Sequence, residues 1–193
     1  MITSPAFVIA HIARTGGEAI KAILRNLKLP DVQCTKLHDI QQHATPDLRG
    51  RDLILSIRRL PARELSHIKL AYFLDHLPTT SQRLRNETIG RFAIRLLNGE
   101  GQIKRITDND RTPVAHYIRS EFLRSDLHAV LAQYFPLTAA QTDIITVTTT
   151  KRREHYDHDI TQHFTHEDIA ELYHRSPTWT KHERAAYGST LAN

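Results

Sequence analysis

The stretch Ala6-Phe7-Val8-Ile9-Ala10-His11-Ile12-Ala13-Arg14-Thr15-Gly16-Gly17-Glu18-Ala19 decides how this chain is read. Its first half, Ala6 to Ile12, is a short, continuous apolar run, the pattern of a strand buried on both faces. Arg14-Thr15-Gly16-Gly17 ends the run, and Ala19, Ile20, Ile23, Leu24 and Leu27 follow at helical spacing. The expected order is strand, tight turn, helix. Two glycines let the backbone turn sharply and approach a ligand, while the helix points its unpaired amides at whatever sits at its start. A phosphate or sulfonate suits such a turn. Arg14 would add a delocalised charge that reaches several oxygens, and the Thr15 hydroxyl a further donor. The same residues also read as an ordinary strand-to-helix turn in which glycine serves geometry alone.

Outward from this stretch the pattern alternates. A second strand is expected over Val32 to Leu37 and a stronger one over Asp52 to Ile57, where Leu53, Ile54, Leu55 and Ile57 leave little room for a solvent-facing side. Helical periodicity runs from Ala62 to Leu77 and from Ser81 to Leu97, with Pro78 dividing the two. Gly99 to Pro113 is polar and reads as a loop. Val114 to Ile118 reads as a strand and Phe122 to Tyr134 as a helix, and a further apolar run, Ile144 to Val147, precedes a His-rich, basic C-terminal third. The expectation is an α/β fold with a mostly parallel central sheet flanked by helices and a helix-rich C-terminal half. No internal repeat or low-complexity tract is visible.

Bulk properties narrow the classes. A chain of 193 residues, 40% hydrophobic, can bury one sizeable core, and without a Gly/Pro/Ser-rich linker it reads as a single domain over 1–193. The net charge of +5 favours an anionic ligand. Nucleic acid is not the expected partner, because the basic residues lie scattered among acidic ones and aromatics are only 7%. Cys34 stands alone, which excludes an internal disulfide framework. No basic region precedes the first apolar run, and no run approaches the roughly 18 residues of a membrane span, so a cytoplasmic protein is expected. Oligomeric state is left open.

A second motif stands at the end of the Asp52 to Ile57 strand: Arg58-Arg59-Leu60-Pro61-Ala62-Arg63-Glu64-Leu65-Ser66, in which Pro61 suits the first turn of a helix. An arginine at a strand end and a serine eight residues later on the helix can converge on one phosphate in the crevice where α/β sheets bind ligands. Taken alone, the paired arginines are also what a solvated basic helix start would carry.

The first stretch resembles the His-Ile-Pro-Lys-Thr-Gly-Gly-Thr-Ser signature of sulfotransferases that use 3'-phosphoadenosine 5'-phosphosulfate (PAPS) as donor. The second resembles that family's 3'-phosphate motif, matched by Arg58 and Ser66, with Arg63 at a second arginine common within it. Three further segments resemble bacterial and carbohydrate-type members: His43-Ala44-Thr45, the run Ile118-Arg119-Ser120-Glu121-Phe122-Leu123-Arg124-Ser125-Asp126, and Lys151-Arg152-Arg153 with Tyr156 and later Tyr173. The resemblance implies a P-loop-like three-layer fold and transfer of a sulfuryl group to a hydroxyl or amine of a carbohydrate or other small acceptor. It implies that Arg14, Thr15, Gly16, Gly17, Glu18 and Ala19 hold the phosphosulfate end of the donor, Arg58 and Ser66 its 3'-phosphate, and Lys151 and Arg152 part of the nucleotide. No metal is implied.

In-line attack on sulfur needs a base for the acceptor proton and cations for the charge developing on the bridging oxygen. Arg14 suits the second task. For the base, His43 is the candidate and His38 the runner-up, since an unperturbed imidazole accepts a proton near neutrality. Glu121 and Asp126 read as helix N-terminal charge complementing the dipole rather than as catalysts. The chain departs from the family pattern where Arg14 replaces Lys and where Glu18 and Ala19 replace hydroxyl residues. Glu18 then either points away, serves the acceptor as a base, or marks a protein that binds a nucleotide or sulfated ligand without turnover, which is the alternative function. A phosphotransferase is disfavoured by the absence of Gly-Lys-Ser/Thr and of an evident magnesium-binding Asp. His155, His158, His163 and His166 have spacings that fit no closed metal-ligand set.

Overall fold

A computed structural model describes residues 1–34, 48–73, 87–108, 111–148 and 159–192. The apolar run after Ser4 becomes β2 (Phe7–His11), preceded by a short β1 (Ile2–Thr3). The Ser4 side chain sets the turn between them, its oxygen accepting from the amides of Ala6 at 3.2 Å and Phe7 at 3.0 Å. α1 (Gly17–Leu27) leads to β3 (Gln33–Cys34), and β4 covers Asp52–Ile57, the bounds expected from its pattern. α2 (Leu60–Phe73) carries Pro61 in its first turn, where a missing amide costs no helical bond. α3 (Ile89–Leu96) and α4 (Asn98–Ile106) follow, then β5 (His116–Arg119) and a 3-10 turn (Ser120–Phe122). The chain continues through α5 (Leu123–Leu131), α6 (Ala139–Val147), α7 (His166–His174) and α8 (Pro177–Tyr187). The protein is α/β.

The sheet is mixed and mostly parallel, ordered β3-β1-β2-β4-β5. β2 runs parallel to β4 in a register that pairs His11 with Ser56, and β4 parallel to β5 with Ile57 opposite Arg119. β1 pairs antiparallel with both β2 and β3. The C-terminal ends of β2, β4 and β5 therefore come out at one edge, where open α/β sheets present ligand-binding loops.

Residue contacts group the chain into two compact units, Met1–Ile57 with Lys104–Arg152, and Arg58–Ile103 with Arg153–Asn193. In the first, Phe7, Ile9, Ile54 and Ile118 pack with Ile20, Ile23, Leu24 and Leu27 of α1, Leu127, Val130 and Leu131 of α5 and Ile145 of α6. Val8, Leu53, Leu55 and Ile57 are buried too, as continuous apolar strands require. The apolar run Ile144 to Val147 is the last turn of α6, a helix opened by a capping box between Thr138 and Gln141.

The second unit is built around Trp179, which is 0% exposed. Here the loop expected over Gly99 to Pro113 is corrected, because α4 runs as far as Ile106. Nothing in its composition announces a helix. The segment is held by partners distant in sequence: the Gly99 amide donates to Glu64 Oε1 at 2.9 Å, and Ile103 is buried. Glu100 in turn accepts from the amides of Thr178 at 3.2 Å and Trp179 at 2.9 Å. It thus does the capping for α8, whose own N-cap Ser176 makes no side-chain cap bond. No helix among the described residues is long and apolar enough to cross a membrane.

Candidate functional site

The turn after β2 is shaped by two residues in the left-handed region, Arg14 at φ 75° and Gly16 at φ 87°. For Gly16 this costs little. For Arg14 it is a conformation that side chains with a Cβ avoid and that folded chains keep where the surroundings impose it. Thr15 lies between them and is fully buried. Its hydroxyl donates to the Ile12 carbonyl at 2.7 Å and accepts from Ser56 Oγ at 2.8 Å, while Ser56 also bonds the Thr15 carbonyl. The Thr15 hydroxyl thus ties the turn to the end of β4, and its proton goes to the protein rather than outward. Ser120 joins the third strand end to the same edge, donating to the Ile57 carbonyl at 3.2 Å.

α1 starts at Gly17, with Gly16 as an N-cap that offers no side chain. The first bond of the helix runs from the Ile20 amide to the Gly16 carbonyl at 3.1 Å, so the amides of Gly17, Glu18 and Ala19 precede the intrahelical ladder. Glu18, 71% exposed, has its carboxylate 3.5 Å from Lys21 Nζ, one turn along the helix. The Glu18 side chain thus leans along α1 toward Lys21. Gly17 is required by a neighbour: a Cβ there would stand 2.0 Å from Cδ2 of the His11 ring.

His11 is buried, and its Nδ1 has no hydrogen-bond partner among the described residues. Burial first, then the charges of the Met1 α-amino group and Lys21, lowers its pKa from 6.5 to about 4. The folded state therefore prefers neutral imidazole. The preference contributes stability above pH 6.5 that is lost as pH falls toward 4, about 3 kcal/mol in all. Urea midpoints from pH 7 down to 4 are expected to fall more for wild type than for His11→Gln. Parallel curves would show that His11 is not held neutral.

In the second unit, Arg58 is half-buried just after β4, and its carbonyl accepts from Trp179 Nε1 at 3.3 Å. Ser66 is buried on α2. Arg63, the second arginine of the motif, is wholly buried, with Nη1 2.7 Å from Glu64 Oε1 and its guanidinium 5.9 Å from the centre of the Trp179 ring. Arg59 donates through Nη1 to Glu183 Oε1 at 3.1 Å and to the Ser189 carbonyl at 2.6 Å, and stacks over Tyr187 at 4.2 Å. The strand-to-helix run Ile118 to Asp126 forms as expected. Asp126 accepts from the Arg119 amide at 2.9 Å and from its Nε and Nη2 at 2.8 Å. That grip fixes the β5 corner, a more specific task than complementing a dipole.

His38, His43, Lys151 and Arg152 lie outside the described residues. Among the described residues no group of three or more His, Cys, Asp or Glu side chains is placed to hold a metal ion. Sequence reasoning missed Ser56 and Glu183. Only spacing hinted at Glu183: it stands four residues after the sole tryptophan, on the same face of α8. Searches with this chain against models of known protein families, curated proteins and solved structures found no match.

Proposed function

We propose that the protein is a PAPS-dependent sulfotransferase with a P-loop-like three-layer fold, acting in the cytoplasm on a hydroxyl or amine of a carbohydrate or other small acceptor. The observation that carries this reading is the open start of α1. Gly16 supplies no capping side chain, Thr15 turns inward and Glu18 leans toward Lys21, so the amides of Gly17 to Ala19 remain for an anion. Arg14, on the strained turn just before them, supplies the cation for the charge that develops on the bridging oxygen. Arg58 and Ser66 take the 3'-phosphate, Lys151 and Arg152 contribute to nucleotide binding, and His43 or His38 takes the acceptor proton. The wholly buried Arg63, paired with Glu64, supports a structural part for that arginine.

Calorimetry with adenosine 3',5'-bisphosphate, the product nucleotide, tests the donor site without knowledge of the acceptor. Wild type is expected to bind it, and Arg58→Ala to bind about a hundredfold more weakly, the loss that goes with one charge-assisted phosphate contact. Well-folded wild type that does not bind would overturn the reading. Binding without sulfuryl transfer to any acceptor in a broad panel would replace it with a nucleotide-binding protein that has lost its chemistry.

A further inference from the structure

The three residues Arg58, Arg59 and Leu60 are each held by the C-terminal part of the chain. The Arg58 carbonyl accepts from Trp179 Nε1 at 3.3 Å. The Arg59 guanidinium lies over Tyr187 and donates to the Ser189 carbonyl at 2.6 Å. The Leu60 amide, an orphan donor at the start of α2, donates to Glu183 Oε2 at 2.9 Å. Glu183 holds the two residues that directly follow Arg58. Its side chain is 0% exposed, and its other oxygen accepts from Arg59 at 3.1 Å and from the Tyr173 hydroxyl at 2.7 Å. Tyr173 in turn accepts from the Leu191 amide at 3.4 Å. A buried carboxylate with three donors converging on it has one geometry, and that geometry fixes the backbone on which Arg58 stands.

We infer that Glu183 is a positioning residue for the 3'-phosphate. By absorbing the charge of Arg59 and capping α2, it sets the direction from which Arg58 presents its guanidinium. It also keeps the neighbouring arginine from competing for the ligand. Preorganisation of this kind raises affinity because the ordering cost is met during folding rather than at binding. The inference rests on the assignment of the 3'-phosphate to Arg58 and Ser66, and it concerns only that end of the nucleotide.

Two ligands separate positioning from mere stability. Adenosine 3',5'-bisphosphate and adenosine 5'-monophosphate differ by the 3'-phosphate alone. Wild type is expected to prefer the bisphosphate by about a hundredfold. Glu183→Gln keeps the shape and an acceptor for the Leu60 amide but loses the charge that holds Arg59. In this variant the preference should fall by about tenfold or more, with monophosphate affinity within about twofold of wild type. Tyr173→Phe, which removes a single hydroxyl from the same carboxylate, should move the preference in the same direction by less. An unchanged preference in both variants would overturn the inference and leave the Arg58 assignment standing. Equal loss for both ligands would overturn it in favour of a purely structural role. Tighter bisphosphate binding by Glu183→Gln would also overturn it, since the carboxylate would then be occupying the ligand's seat. Wild type with no preference would defeat the Arg58 assignment itself, and the inference with it.

Discussion

Trp179→Ala is expected to lower the unfolding free energy by about 3 to 5 kcal/mol, the range for deleting a large aromatic side chain from a closed interior. The residue is 0% exposed and is the only tryptophan in the chain, so its fluorescence follows the wild-type transition alone and the variants need a probe that does not depend on it. The loss has more than one source. The cavity term comes first. Arg63, fully buried with its guanidinium 5.9 Å from the ring centre, would lose an aromatic face where no water replaces it. The Arg58 carbonyl would lose the indole N–H. The close fit at Gly99, where a Cβ would stand 2.9 Å from the indole, would become a void beside the amide that Glu64 accepts from. Trp179→Phe keeps much of the volume and loses the N–H, and about 1 to 2 kcal/mol is expected for it. Urea denaturation followed by circular dichroism gives both values. A loss below about 1 kcal/mol for the alanine variant would mean that the second unit does not depend on this ring.

Glu183→Ala is the second large effect, also expected at about 3 to 5 kcal/mol, because one truncation strips the acceptor from three buried or half-buried donors at once. Arg59 keeps the Ser189 carbonyl and the Tyr187 face, but the Leu60 amide and the Tyr173 hydroxyl would be left in an interior without acceptors. Glu183→Gln should behave differently. Burial pushes the Glu183 carboxyl above its ordinary value, against the opposing pull of Tyr173, the Leu60 amide and Arg59. A carboxyl raised in the folded state contributes stability below its unfolded value of 4.5 and loses it as pH rises through the folded value. The neutral glutamine escapes that loss. The cost of Glu183→Gln relative to wild type is therefore expected to be smaller at pH 7 than at pH 4. Thermal melts of the three proteins at the two pH values check both statements. A Gln variant as unstable as the Ala variant at pH 7 would mean that the charge, not the acceptor, is what the site needs.

Much of the first unit was legible in the residues. Local signals there agree with the tertiary answer: the apolar run becomes β2, Asp52 to Ile57 becomes β4 with its bounds unchanged, Gly16 and Gly17 mark the turn, and Ile20, Ile23, Leu24 and Leu27 of α1 face the core. The α/β class follows from these elements because strands buried on both faces need helices to cover them. The order of events along the second motif, strand, arginines, proline and helix, was equally visible.

What a linear reading could not supply is which polar groups find each other across long separations. Gly99 to Ile106 has the composition of a loop and becomes a helix because Glu64, thirty-five residues earlier, accepts its first amide. In the sequence Thr15 suits a donor to a ligand, yet Ser56, forty-one residues away, and the Ile12 carbonyl draw its hydroxyl inward. Arg59 and Arg63 look like any basic helix start until Glu183 and Glu64 are placed beside them. Hydropathy records how a side chain partitions between water and oil, and so it marks strands, core faces and turns. A buried charge instead takes its meaning from its partner, and only the folded chain decides the partner.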